Sequence, residues 1–171
     1  METILVSLVC IALIVFGGMT MSQGFMTSVD TSTSGLDELG QRNETIIRTL
    51  INPVSASQPA ANTFEIILKN DGQIKLADFA KWDVIVHYFD ETGNYTIKWL
   101  PYTENALGDD EWQVTWLRLN GVAEVFETGV FNPGEQMMIT GQLNPPVGLG
   151  TTNMVVISTP SGITAQTYFS P

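Results

Sequence analysis

The stretch TILVSLVCIALIVFGGMTMSQGFMTSV, residues 3–29, decides how the rest of this sequence is read. No charged side chain occurs between Glu2 and Asp30. A helix needs about 20 predominantly apolar residues to cross the hydrocarbon of a bilayer, and this segment is long enough. A cleavable secretory signal carries a basic n-region and a shorter apolar stretch of about 7–15 residues, and an uncleaved anchor carries Lys or Arg on its cytoplasmic flank. Neither flank is basic here, since the first Arg is Arg42. The expectation is that Met1 is a processed end, left by removal of a basic leader. The segment itself should be buried in lipid or in other protein chains, because apolar surface of this extent is unfavourable in water.

Gly17, Gly18 and Gly24 each weaken an isolated helix by about 1 kcal/mol relative to Ala, a cost tolerated where helices pack closely. Gly18 and Ser22 have the small-xxx-small spacing that lets apolar helices approach. Past Asp30, Leu36, Leu39, Ile46, Ile47, Leu50 and Ile51 recur at helical spacing with Asp37, Glu38, Arg42 and Arg48 between them, the pattern of an amphipathic helix. Pro53 is expected to end it, because proline donates no backbone hydrogen bond and biases Asn52 away from helical geometry. A helix reaching Asn52 would run about 75–80 Å at about 1.5 Å per residue. Its expected weak point is 31–35, a polar run of poor helix formers.

The rest of the 171 residues has room for one ordinary domain. Residues 54–62, with Pro59, three Ala and two Ser, read as a linker. This divides the chain into a 1–53 helix, a 54–62 linker and a 63–171 outer domain. In the last part, strand-like runs alternate with turn signals: Thr63–Asn70, 74–79, 83–90, 95–102, 112–120, 122–127, 136–143, 154–159 and 163–169. Val84, Val86 and Tyr88 alternate with Ile85, His87 and Phe89, a period of two. Short strands with Gly, Pro and Asn turns predict an all-β immunoglobulin-like sandwich, so the fold class is α+β in composition, a long N-terminal α-helix followed by the sandwich. Trp82, Trp99, Trp112 and Trp116 are expected to pack in the core and between the sheets.

The net charge of -11 excludes a nucleic-acid partner, since phosphate recognition needs clustered Lys and Arg and the seven here are scattered. Cys10 is the single cysteine. It can make no intrachain disulfide, and Ser7, Leu8 and Val9 are not the small residues that precede a lipidated cysteine. His87 is the only histidine and falls within a strand, without the partners a general base or a zinc site requires. No catalytic residue, cofactor site or defined metal site is assigned, and no enzyme is expected. A weak Ca²⁺ site on Asp109, Asp110, Glu111 and Glu104 is the one cation reading that the acids offer, as hard cations take several oxygen ligands. Asn43-Glu44-Thr45 and Asn94-Tyr95-Thr96 are N-glycosylation acceptor sequences, with Asn94 in a hairpin turn the better placed.

The apolar run opening the chain, the helix continuing past Asp30, and the strand Phe64-Glu65-Ile66-Ile67-Leu68-Lys69-Asn70-Asp71-Gly72 followed by 74–79 and Asp83-Val84-Ile85-Val86 together resemble archaellins, the subunits of the archaeal swimming filament. The related stator subunit of the same machine shares the head fold and is the nearest alternative. Bacterial type IV pilins usually begin with Phe and carry Glu at the fifth position, where this chain has Met1 and Leu5.

The resemblance implies a type IV pilin-like homopolymer on the cell surface, held in the cytoplasmic membrane before assembly and built by dedicated assembly machinery. Ile4, Leu5, Leu8, Ile11, Ala12, Val15, Gly17, Gly18 and Ser22 would form the helix assembly surface. The rival readings are a membrane-anchored immunoglobulin-like binding protein of stator type, an adhesive pilin, and an anchored hydrolase on a β-sandwich.

Overall fold

The computed structural model describes residues 2–171, so Met1, on which the expectation of a processed end falls, lies outside the described residues. The chain divides into two units, 1–43 and 44–171. α1 is an unbroken helix over Glu2–Arg48, and the expected weak point at 31–35 is helical throughout. The hydroxyls of Ser7, Thr20, Thr27, Thr31 and Thr33 each donate to the carbonyl three or four residues back, at 2.9–3.0 Å. They thereby satisfy themselves on the helix instead of competing with it from outside.

α1 ends at Arg48, ahead of the stop expected at Pro53. Thr49 Oγ1 donates to the Thr45 carbonyl at 2.7 Å. Ile51 then turns inward and is 3% exposed. The expected 54–62 linker is corrected as well: these residues lie largely in strand β1 (Ile51–Ala60), which pairs antiparallel with β2 (Thr63–Asn70). β1 is an edge strand with register shifts at Pro53/Ser55 and Ser57/Ala60. Edges and bulges are where a sheet accepts proline, and an edge whose residues face solvent lacks the apolar period that announces a strand.

The other strands are β3 (Asp83–Phe89), β4 (Tyr95–Leu100), β5 (Trp112–Leu119), β6 (Val122–Ala123), β7 (Gln136–Gln142), β8 (Asn153–Ser158) and β9 (Thr164–Phe169). They form two antiparallel sheets, ordered β1-β2-β7-β5-β6 and β4-β3-β8-β9. The sandwich expected from the period of two is present. Phe64, Ile66 and Leu68 of β2, Met137 and Ile139 of β7, Val84, Val86 and Tyr88 of β3, and Val155 and Ile157 of β8 are fully buried. Alternate residues of each strand thus face one shared core.

The expected strand at 74–79 is absent. Leu76 exchanges two backbone hydrogen bonds with Phe131, at 3.1 and 2.7 Å, and a short 3-10 turn, Phe79–Lys81, follows. The Asn-Asp-Gly turn before it seats the chain leaving α1. Asn70, 1% exposed, accepts from the Gly72 N–H at 3.0 Å and donates to the Ile74 and Phe131 carbonyls at 2.9 Å. The Gln73 and Asp71 N–H groups donate to the Arg48 and Leu50 carbonyls at 2.8 and 3.0 Å.

Candidate assembly surfaces

α1 carries no charged side chain over 3–29, the side chains of Ile4, Leu5, Leu8, Ile11 and Val15 being 62–70% exposed in the single chain. Among the described residues it is the one helix long and apolar enough to cross a membrane. Ile4, Leu8, Ile11, Val15, Gly18 and Ser22 follow one another at steps of four and three, which places them on one stripe. Leu5 and Ala12 flank that stripe. Gly17 falls on the opposite side, at about 100° per residue. Within the single chain nothing lies within 4 Å of a Cβ built at Gly17, Gly18 or Gly24, so any packing use of these glycines requires another helix.

The two acceptor asparagines are exposed, Asn43 on α1 and Asn94 at the end of the β3–β4 turn. That turn is organised by Asp90, whose Oδ1 accepts from Thr92 Oγ1 at 2.6 Å and from the Thr92 and Asn94 N–H groups at 2.9 Å. The Thr92 hydroxyl, followed by the Asn94 N–H, holds the Asp90 carboxyl below its ordinary range. Of the acids read as a weak cation site, Glu104, Asp109, Asp110 and Glu111, the last three accept hydrogen bonds from the protein itself. Asp109 accepts from Gln142 Nε2 at 2.6 Å and from Asn144 Nδ2 at 3.1 Å. Asp110 accepts from the Asn144 N–H at 3.0 Å and from Lys98 Nζ at 2.5 Å, and Glu111 accepts from the Gly108 N–H at 3.0 Å. Asp109 and Asp110 tie the loop before β5 to residues 142–144, while Glu111 closes a bond within that loop. Among the described residues no cluster of three metal-ligating side chains occurs.

The four tryptophans divide two and two. Trp82 and Trp112 are in the core as expected, at 2% and 0% exposure, whereas Trp99 is 58% exposed and Trp116 carries the Arg118 guanidinium 4.4 Å above its ring. Strand parity explains the correction for Trp99, because Leu100 takes the inward position beside it.

Trp99 belongs to an outward face that sequence reasoning did not single out. The solvent side of β4-β3-β8-β9 carries the cross-strand pairs Phe89/Tyr95, His87/Ile97 and Ile85/Trp99, continued by Met154 and Val156 of β8 and Tyr168 of β9. His87 Nδ1 and Tyr95 Oη are 2.9 Å apart, and Trp99 Nε1 donates to Asp83 Oδ1 at 2.9 Å. The polar ends of these rings are thereby satisfied inside the face. Alternation in the outward positions of β3 carried this signal, once the inward set Val84, Val86 and Tyr88 was known.

A second apolar surface follows β5. Asn120 and Gly121, with φ of 51° and 83°, make a tight hairpin turn into β6. Glu124 Oε1 then turns back to accept from the Val125, Phe126 and Glu127 N–H groups at 2.9, 2.6 and 3.2 Å. These bonds, that from Phe126 first, hold the Glu124 carboxyl below its ordinary range, and beside it Val125 and Phe126 are 74% and 95% exposed.

No protein-family model matches the sequence, and no curated protein matches it. Solved structures do match. The archaellum periplasmic stator protein FlaG of Sulfolobus acidocaldarius aligns with a TM-score of 0.53 at 20% identity, covering 71% of this chain and 99% of that one. The stator complex of FlaF and FlaG from the same organism aligns at 0.51 and 20%, covering 70% and 87%. The archaeal flagellum of Methanospirillum hungatei strain JF1 aligns at 0.57 and 13%, covering 96% of this chain and 90% of that one. The resemblance drawn from the sequence, to archaellins with the stator subunit as nearest alternative, fits these neighbours; what the alignments establish is a shared fold, and the one to the Methanospirillum filament, over 96% of this chain, takes in both the long N-terminal helix and the antiparallel sandwich.

Proposed function

We propose that this chain is the structural subunit of an extracellular helical filament of archaellum type, polymerising through α1 and serving swimming motility. The observation that carries this reading is the extent of the likeness to the Methanospirillum filament, which takes in helix and head together over 96% of the chain. Before assembly, residues 3–29 would lie in the membrane. The step into a filament would move them into a bundle of identical helices built by assembly machinery.

That transfer runs from one apolar medium to another, so helix packing and not water exclusion must drive much of it. The chemistry of α1 suits both media. Its serine and threonine hydroxyls named above are satisfied on the helix itself, which matters where no water is available to do it. Gly18 and Ser22 offer an approach surface on the stripe that also holds Ile4, Leu8, Ile11 and Val15. A helical polymer follows when the contact between copies is head-to-tail and does not close.

The second reading is a membrane-anchored stator-like binding protein, favoured by the head alone, since the alignment takes in 99% of the Sulfolobus FlaG chain. Negative-stain microscopy of sheared cell surfaces, with an antibody to the head, separates the two. Labelled filaments in the sheared fraction are the expected result. Labelling confined to the membrane pellet overturns the filament reading in favour of the anchored one.

A further inference from the structure

We propose that the part of α1 beyond its apolar segment packs against the same part of a second copy, with Arg42 of one copy set against Asp30 or Asp37 of the next, and that this charge pairing fixes the axial register of neighbouring helices; the proposal rests on the polymer reading above.

The spacing of residues on α1 places the charges. Val29, Leu36, Leu39 and Ile47 are 46–73% exposed in the single chain. At about 100° per residue they lie within an arc of about 80°, with Asp37 and Asp30 about 80° and 100° beyond one border and Arg42 about 60° beyond the other. Charges that border an apolar seam on a helix decide which partner it takes and in what register.

Arg42 is the basic side chain whose partner is not in its own chain. Arg48, Lys69, Lys75, Lys81 and Lys98 each hold a carboxylate at 2.5–2.8 Å, and Arg118 lies over Trp116. Among the described residues, Arg42 alone of the seven Lys and Arg has neither kind of contact. Glu38 stands one turn before it, at a spacing that suits an ion pair within a helix. No such pair forms, whereas Glu44 and Arg48 at the same spacing are joined at 2.8 Å. Among the described residues, Asp30 and Asp37 make no ion pair either.

Charge complementarity identifies the occupant as another copy. The two signs lie on one helix but about 120–140° apart around it, so they cannot meet there. When copies stand side by side and point the same way, the Arg42 border of one faces the acidic border of the next. A contact that joins unlike surfaces of identical subunits leaves one of each free and propagates. An exposed ion pair adds little affinity. Its effect is on alignment, because a helix in the wrong register sets like charges against each other.

The test uses the full-length chain in the cells that make it, with immunoblots of the membrane and of the sheared fraction, and microscopy of the latter. Arg42→Glu should leave the subunit in the membrane and lower filament yield roughly tenfold or more, since like charges across an interface are strongly unfavourable. Adding Asp37→Arg or Asp30→Arg to the same chain should restore most of the yield. The better of the two reports the axial offset between copies, about 8 or 18 Å at about 1.5 Å per residue. Glu38→Gln should leave filaments unchanged. Normal filaments from Arg42→Glu overturn the contact, as does recovery with neither second substitution. Loss with Glu38→Gln equal to that with Arg42→Glu also overturns it, by placing the pair within one helix. Filaments from the unaltered chain in each of these cases leave the polymer reading standing, and their absence from the unaltered chain refutes that reading and this contact with it.

Discussion

Phe64 occupies the space that a side chain at Gly141 would need. The two residues face each other across β2 and β7, and a Cβ at Gly141 would lie 2.3 Å from Phe64 Cζ. Phe64 is fully buried and stacked on Phe169 at 5.5 Å between ring centres, so its ring has nowhere to swing. Gly141→Ala should therefore destabilise the head by about 1–3 kcal/mol, the usual cost of overpacking. Urea unfolding followed by tryptophan fluorescence measures this, and Gly141→Ala combined with Phe64→Leu should recover part of the loss.

Gly72 is constrained by backbone instead of by a ring. A Cβ there would lie 2.6 Å from the Arg48 carbonyl oxygen and 2.7 Å from the Leu50 nitrogen, neither of which can rotate away. Gly72→Val should weaken the bonds from Gln73 and Asp71 to the end of α1. Amide hydrogen exchange at Asp71 and Gln73 should accelerate, with a stability loss of about 1–3 kcal/mol. Unchanged protection at both amides would refute the clamp.

Glu135, 1% exposed, is a buried acid. Burial, and after it the neighbouring Glu124, pushes its carboxyl above the ordinary 4.5, against the hydrogen bonds from Asn132 that favour the charged form. A raised carboxyl contributes stability while protonated and loses it as pH rises from 4.5 through the folded value. Glu135→Gln keeps an oxygen for the Asn132 N–H, 2.7 Å away, and removes the buried charge. It should stabilise the head at neutral pH by roughly 0.5–1.5 kcal/mol, the scale of one hydrogen bond. That gain should shrink as pH falls toward 4.5, so thermal melts across this range showing a pH-independent difference would count against the buried charge.

Gly18→Leu tests the helix surface. Leu adds bulk where neighbouring backbones are proposed to approach, at about 1–3 kcal/mol per site, repeated in every subunit. Membrane insertion should persist, because Leu is favourable in an inserted helix. The expected phenotype is subunit in the membrane with few filaments outside. Gly17→Leu, on the opposite side of α1, should be the milder change, and equal filament loss in both variants would refute the stripe.

How much was legible in advance differs along the chain. Residues 3–29 announce a helix because apolar side chains without charge leave few other options, and β2, β3 and β7 to β9 announce themselves through a period of two that comes directly from the pleat. β1 was not legible. Its Pro53, Pro59 and polar residues are those of a linker, and it is a strand because β2 offers an unpaired edge. The same holds for 74–79, where the strand-like run is pulled aside to bond with Phe131, 55 residues beyond Leu76.

The sequence by itself determined the division into apolar helix and acidic β head, since composition and local periodicity are properties of neighbouring residues. Only the tertiary structure decided which tryptophans are inside, where α1 stops, that the acids near Asp109 are tied to residues 142–144, and that Ile85, Ile97, Trp99, Met154 and Tyr168 form one surface. Those outcomes depend on which strands pair and in what register, and register is set by long-range burial, which no local window contains.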